Sequence, residues 1–204
     1  MNDDVPSPID LRRMSDAEDW EQSAMSKRPW RTEFFAQFVV QIASAPRSIH
    51  RVLEIGSGPG FLAKHLLEAL SGISYVLLDF SPAMHELAMS RLTGLENRIQ
   101  FIERDFKKED WCEGLGPFDC VVTHQAVHEL RHKRHATRLH SQVRGILEGE
   151  GLYLVCDHFV GEGGMTNAQL YMSVQEQKQA LLAAGFIQVE EILVRGGLVL
   201  HRAT

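Results

Sequence analysis

Apolar positions along the chain follow two periods. In RTEFFAQFVVQIA, Phe34, Phe38 and Ile42 recur at i, i+4 and i+8, with Phe35 and Val39 beside them. That spacing predicts helical structure over 14–45, with Pro29 at the start of its apolar part. Beyond residue 50 the pattern changes to short apolar runs alternating with helical stretches. Strands are predicted at 51–55, 74–80, 98–106 (a strand with its following loop), 118–124, 151–159, 187–194 and 198–203. Helices are predicted at 61–70, 81–92, 132–149 and near 173–184. Ser81 is the expected N-cap of the second, with Pro82 in its first turn. Arg195-Gly196-Gly197 reads as a hairpin turn. Alternating strands and helices imply an α/β fold, a Rossmann-like, mostly parallel sheet with helices on both faces. The final hairpin implies one antiparallel strand. The chain divides into a tail and helical cap (1–48) and a core (49–204). Residues 1–13, rich in Pro and Asp, are expected to be poorly ordered.

Composition narrows the class. The chain has 204 residues, 44% hydrophobic and 24% charged, close to an average globular domain. No apolar run approaches the roughly 18 residues that span a bilayer, so no membrane partner is expected. MNDDVPSPID lacks a basic and an apolar leader region, and three cysteines (Cys112, Cys120, Cys156) without CxxC read as reduced thiols. A cytoplasmic protein is expected. A net charge of −6 argues against a DNA partner.

The strongest local signal is VLEIGSGPGFLAKHL (52–66), a strand ending in Glu54-Ile55 and then Gly56, Gly58 and Gly60 opening a helix. Such glycines allow positive φ and a close ligand approach. Three ligands compete. A dinucleotide loop is GxGxxG, whereas this spacing is GxGxG. A P-loop needs GxxxxGK[ST], and no Ser or Thr follows Lys64. S-adenosylmethionine carries an ammonium and a sulfonium, and Glu54 just ahead of the loop suits a cationic ligand. Asp79 ends the next strand, 19 residues after Gly60, where a carboxylate can accept from both ribose hydroxyls. Asp105 closes the third strand beside Phe106, suited to an adenine amino group and ring.

On VLEIGSGPG, LLDFSPAM, FIERDF, FDCVVTHQAVHEL, LEGEGLYLV and LLAAGF, in that order, the chain resembles the class I S-adenosylmethionine-dependent methyltransferases over about 50–203. The resemblance implies a seven-stranded sheet with its last strand antiparallel. It implies that Glu54, Gly56, Ser57, Gly58 and Gly60 face the methionine part of the cofactor. Asp79 would hold the ribose, with Phe80 and Met84 beside it or the adenine, and Asp105 and Phe106 would sit at the adenine end. Thr123 and His124 would lie near the sulfonium, the product being S-adenosylhomocysteine. THQA in place of a DPPY or NPPY motif argues against methylation of DNA bases.

Methyl transfer is an in-line displacement that needs a base only when the nucleophile carries a proton. His124, His128 and His158 all fall at strand carboxyl ends. His128 follows the strand-opening Asp119 by nine residues, and Glu129 follows it. Phenol-directed O-methyltransferases carry their catalytic histidine at that spacing. Asp157 matches the carboxylate that orients it there. His128 is therefore the candidate base, with Asp157 and His124 the other candidate catalytic residues. His124 and His128, four apart, could also suggest a metal, but their helical spacing is broken and no metal is expected. The basic run RHKRHATR (131–138) reads as a solvated helix face. Trp20, Trp30, Phe34 and Phe35 could form a lid, core packing or a dimer surface. The sequence thus predicts an enzyme methylating a small molecule, at oxygen. A protein or RNA methyltransferase, or a silent S-adenosylmethionine-binding scaffold, is the alternative.

Overall fold

The computed structural model of the chain describes residues 4–204. Its seven strands are β1 (Arg51–Ile55), β2 (Ser74–Asp79), β3 (Ile99–Glu103), β4 (Phe118–His124), β5 (Leu147–His158), β6 (Val189–Arg195) and β7 (Leu198–Ala203). They form one sheet in the order β3-β2-β1-β4-β5-β7-β6. β1 to β5 pair in parallel, and β7 runs antiparallel to both β5 and β6. The expected hairpin therefore supplies the one reversed strand. The strand order reverses between β1 and β4, which opens a crevice beyond their carboxyl ends.

Alternation along the strands divides the buried residues between two faces. Leu53, Ile55, Val76, Leu78, Val121, Tyr153 and Val155 enter one cluster. Helices α5 (Ala136–Ile146) and α6 (Val174–Ala183) cover it with Leu139, Val143, Ile146 and Leu181. Val52, Tyr75, Leu77, Cys120, Val122, Leu154 and Cys156 enter the other. There α3 (Phe61–Ala69) packs with α2 (Arg31–Ala43), whose Phe34, Phe35, Phe38 and Ile42 are buried. This second helix of the expected cap is thus part of the core. α1 (Met14–Lys27) instead packs on α4 (Pro82–Arg91) through Ala17, Ala83 and Met84. The capping box of α6 is formed by Ser173 and Glu176, and Ser81 caps α4 as expected.

Two expectations fail. The helix expected over 132–149 ends at Ile146, and Leu147 already pairs with Phe118 as the first residue of β5. Glycines at 145, 149 and 151 weaken any helix there, and the added strand pairing wins. Residues 4–13, the described part of the supposedly disordered tail, are tied down. Val5 N–H donates to the Arg131 carbonyl (2.8 Å), while Arg131 Nε donates to the Val5 carbonyl (2.8 Å) and its Nη2 to that of Pro6 (2.6 Å). Arg134 and His135 hold Asp4, and the Ser81 hydroxyl donates to the Leu11 carbonyl. The basic run is therefore largely spent on internal contacts.

Candidate active site

A cavity of about 800 Å³ opens beyond β1, β2 and β4, roofed by residues 4–12 and the end of α1. Its volume is in the range of small-molecule and cofactor sites. The glycine loop forms one wall. Gly56 and Ser57 donate their backbone N–H groups to the Leu78 carbonyl (2.8 and 3.1 Å), which fixes the turn across β1 and β2. Gly56 has φ +66, and a Cβ there would stand 2.5 Å from that of Ala126. Gly58, at φ +52, faces open space, so its backbone is reachable by a ligand. Gly60 does not line the cavity. Its φ of +76 turns the chain into α3, and a Cβ would press on Ala88 at 3.2 Å.

Three carboxyls line this wall. Glu54 is 2% exposed and accepts from the Tyr75 hydroxyl (2.9 Å). Burial, reinforced by Asp79 and opposed by Tyr75, pushes its pKa up to about 8. Asp79 accepts from the backbone N–H groups of Gly58 (2.8 Å) and Ser81 (3.0 Å). Burial raises its pKa to about 6 against those bonds. A carboxylate has about four acceptor positions, so Asp79 keeps capacity for ligand hydroxyls. Asp105 lies near Arg12 and Lys107, both at 4.0 Å. The same two cations sit over the Phe80 ring, at 4.5 and 5.6 Å from its centroid. Phe106 is buried beneath the loop, and Met84, in the first turn of α4, is buried too. Ser57 Oγ is buried without a partner. Acceptors for an ammonium, a ribose diol and an amino group, with an open glycine backbone, fit S-adenosylmethionine. A pyrophosphate would meet like charge at Asp79 and would oppose ionisation of Glu54, whereas an ammonium favours it.

The other end holds the histidines. His128 stands in a short 3₁₀ turn after β4. Its Nδ1 donates to Asp157 Oδ1 (2.7 Å) and its backbone N–H to Oδ2 (2.7 Å). A third bond, from the His158 backbone N–H (2.7 Å), completes the holding of Asp157. His128 Nε2 lies 3.4 Å from Glu129. Burial alone would lower the His128 pKa, but Asp157 and Glu129 outweigh it and raise it to about 10. Asp157 does not line the large cavity and acts on it through His128.

His124 is boxed by Phe34, Phe35 and Phe38, at centroid distances of 6.4, 5.1 and 6.2 Å. Burial and the nearby Arg31 charge lower its pKa to about 3, so it is neutral. Thr123 is not in the cavity. It shares the face of Val121 and is buried with an unpartnered hydroxyl. Phe34 is core packing, Phe35 packs in the core and also reaches the cavity, and Trp20 lines the cavity.

A chain of polar side chains was not visible in the sequence. Arg31 Nε donates to Gln125 Oε1 (2.7 Å), and Gln125 Nε2 lies 2.8 Å from His158 Nε2. Arginine can only donate, so the Gln125 oxygen must face it and the amide N–H₂ must face His158. His158 Nε2 is then an acceptor, and Nδ1 carries the proton. Burial lowers the His158 pKa to about 4, in keeping with this neutral form. Gln125 has φ +58, a left-handed conformation that would have been its only local signal.

The chain resembles known proteins in sequence and in fold. A family model described as a methyltransferase domain matches residues 52–151, about half of the chain. A stretch of 77 residues, 38% of this chain, is 40% identical to a malonyl-[acyl-carrier protein] O-methyltransferase of Magnetococcus marinus. It covers 27% of that protein, so the chain matches about a quarter of the relative's length. Among solved structures, an O-methyltransferase family protein from Burkholderia thailandensis has a TM-score of 0.73 at 16% identity, covering 95% of this chain and 60% of that one. Human N-acetylserotonin methyltransferase, in complex with S-adenosylmethionine, has a TM-score of 0.71 at 16% identity, covering 95% and 56%. The chain belongs to the class I S-adenosylmethionine-dependent methyltransferases. The cofactor of this methyltransferase is S-adenosylmethionine. Its fold is that of the family, with the cavity at the expected crevice.

Proposed function

We propose that this methyltransferase moves a methyl group to an oxygen of a small-molecule acceptor, with His128 as general base oriented by Asp157. Bound S-adenosylmethionine would supply an activated methyl on a sulfonium. Glu54 would hold its ammonium, Asp79 its ribose, and Asp105 with Phe80 its adenine end. The backbone of Gly56, Ser57 and Gly58 would lie along the methionine part. The observation that carries the reading is the 2.7 Å bond from His128 Nδ1 to Asp157. It fixes the proton on Nδ1 of the neutral ring and leaves Nε2 as the acceptor.

Two carboxylates, those of Asp157 and Glu129, hold the His128 ring as a cation. The Glu129 contact is the weaker one, at 3.4 Å and shared with Arg131. An acceptor hydroxyl that takes the place of Glu129 at Nε2 removes one of those charges. The ring then loses its proton more easily and can accept that of the hydroxyl as oxygen attacks the methyl group. His124, neutral and enclosed by phenyl rings, lines the same cavity and offers no proton acceptor of comparable strength. The enzyme would act in the cytoplasm, without DNA or a membrane as partner. Among the described residues no helix is long and apolar enough to cross a bilayer.

The test is product analysis. The protein is incubated with S-adenosylmethionine and a panel of phenols, carboxylic acids, thiols and amines, and products are identified by mass spectrometry. An O-methylated product, lost in His128→Ala while S-adenosylhomocysteine still binds, supports the reading. Methylation only at nitrogen, carbon or sulfur, or undiminished turnover by the variant, overturns it.

A further inference from the structure

Two arginines at the histidine end of the cavity lack a counter-charge. Arg31 is 5% exposed and spends its Nε on Gln125. Its guanidinium lies 5.2 Å from the Trp20 ring centroid. Arg28 follows α1, its Nη1 donates to the Lys27 carbonyl (3.2 Å), and its Nε is buried with no partner. Neither pairs with a carboxylate among the described residues. Glu129 and Asp157, the acids at this end, are engaged by His128, and Glu129 also by Arg131. Burying a cation such as Arg31 without a partner is costly, and the half-buried Arg28 repels it as well. Burial and the Arg28 charge lower the Arg31 pKa to about 10. The site is thus built for an anion it does not itself supply.

Position tells which anion. Arg28 acts electrostatically on His158 and Tyr171. These rings lie 5.2 and 5.5 Å from that of His128. The carboxyls suited to the cofactor, Glu54, Asp79 and Asp105, lie at or just beyond the ends of β1, β2 and β3, on the glycine-loop side of the cavity. Resting on the function proposed above, we infer that Arg28, backed by Arg31, anchors a carboxylate of the acceptor, which makes the acceptor a small organic acid. The planar guanidinium fork matches a carboxylate in two parallel hydrogen bonds, which gives orientation as well as charge. Anchoring the acid there presents the rest of the acceptor to His128.

Calorimetry on the complex with S-adenosylhomocysteine tests the assignment. The probes are benzoate, 4-hydroxybenzoate and malonate, with benzamide, 4-hydroxybenzamide and malonamide as uncharged matches. Wild type should bind at least one acid about tenfold or more tighter than its amide. Arg28→Gln should abolish that preference and leave S-adenosylhomocysteine affinity unchanged, with Arg28→Lys between the two. Acids bound no tighter than amides by wild type overturn the inference. So does Arg28→Gln that weakens S-adenosylhomocysteine while keeping the acid preference, because the counter-charge is then the cofactor's own carboxylate. Failure of wild type to bind S-adenosylhomocysteine at all instead overturns the methyltransferase reading on which the inference stands.

Discussion

With Glu54 against the cofactor ammonium, as proposed above, cofactor affinity should depend on pH in a defined direction. Its carboxyl is buried, bonded to Tyr75, and neutral below a pKa of about 8. An ammonium placed against it requires the carboxylate, so binding releases a proton below that pKa. A one-proton linkage changes affinity up to about tenfold per pH unit, or up to about a hundredfold between pH 6 and pH 8, which is about 3 kcal/mol. Calorimetric titration with S-adenosylhomocysteine, in two buffers of different ionisation enthalpy, reads both affinity and released proton. Glu54→Gln should flatten the profile, as should 5′-methylthioadenosine, which lacks the amino-acid part. Asp79, with a pKa of about 6, contributes only to the acid end. The same shift acts on the ligand-free fold. An acid pKa raised from 4.5 to about 8 gives stability that is complete below 4.5 and declines as pH rises towards 8. Thermal stability of Glu54→Gln should lack that decline. A wild-type dissociation constant that is constant from pH 6 to pH 8, with no proton released, would refute the reasoning.

Three further outcomes follow from the geometry. Asp157→Asn removes the charge that orients His128 and should lower kcat by about 10²- to 10⁴-fold, while S-adenosylhomocysteine affinity holds. Glu129→Gln removes one of the two carboxylates that raise the His128 pKa, so the rise of kcat/KM with pH should move to lower pH. Gly56→Ala places a Cβ 2.5 Å from that of Ala126 at φ +66, and should cost about 1–3 kcal/mol in denaturant unfolding and weaken cofactor binding.

Much of the cofactor wall was legible because its signals are local. Strands that bury both faces read as continuous apolar runs, and the acids at their ends stand out against them. Glu54, Asp79 and Asp105 therefore fell at one cavity wall as the spacing suggested. The same logic, carried one residue further, would have excluded Thr123. Strand alternation pairs it with Ile55, on the face opposite Glu54, whereas His124 remains in the cavity. The rest depends on contacts between distant segments. Residues 4–13 have no apolar period, and their order comes from Arg131, more than 120 residues away. Arg31, Gln125 and His158 form a chain only when α2 is laid across the ends of β4 and β5. The basic run looked like a solvated face because its partners, Asp4, Glu109 and Glu176, lie far from it in sequence.

The central claim, that this cavity holds S-adenosylmethionine through Asp79 and the glycine loop, is tested most directly by thermal unfolding with bound ligands. Wild type and Asp79→Ala are heated with S-adenosylmethionine, S-adenosylhomocysteine or NADH, each at about 100 times the dissociation constant expected for a specific ligand. A bound ligand at that excess stabilises by about 2.7 kcal/mol, a readily measured shift. The account predicts that both sulfur ligands raise the wild-type Tm, that NADH does not, and that Asp79→Ala loses the response. An unchanged Tm with both sulfur ligands, or an equal shift with NADH, would contradict it.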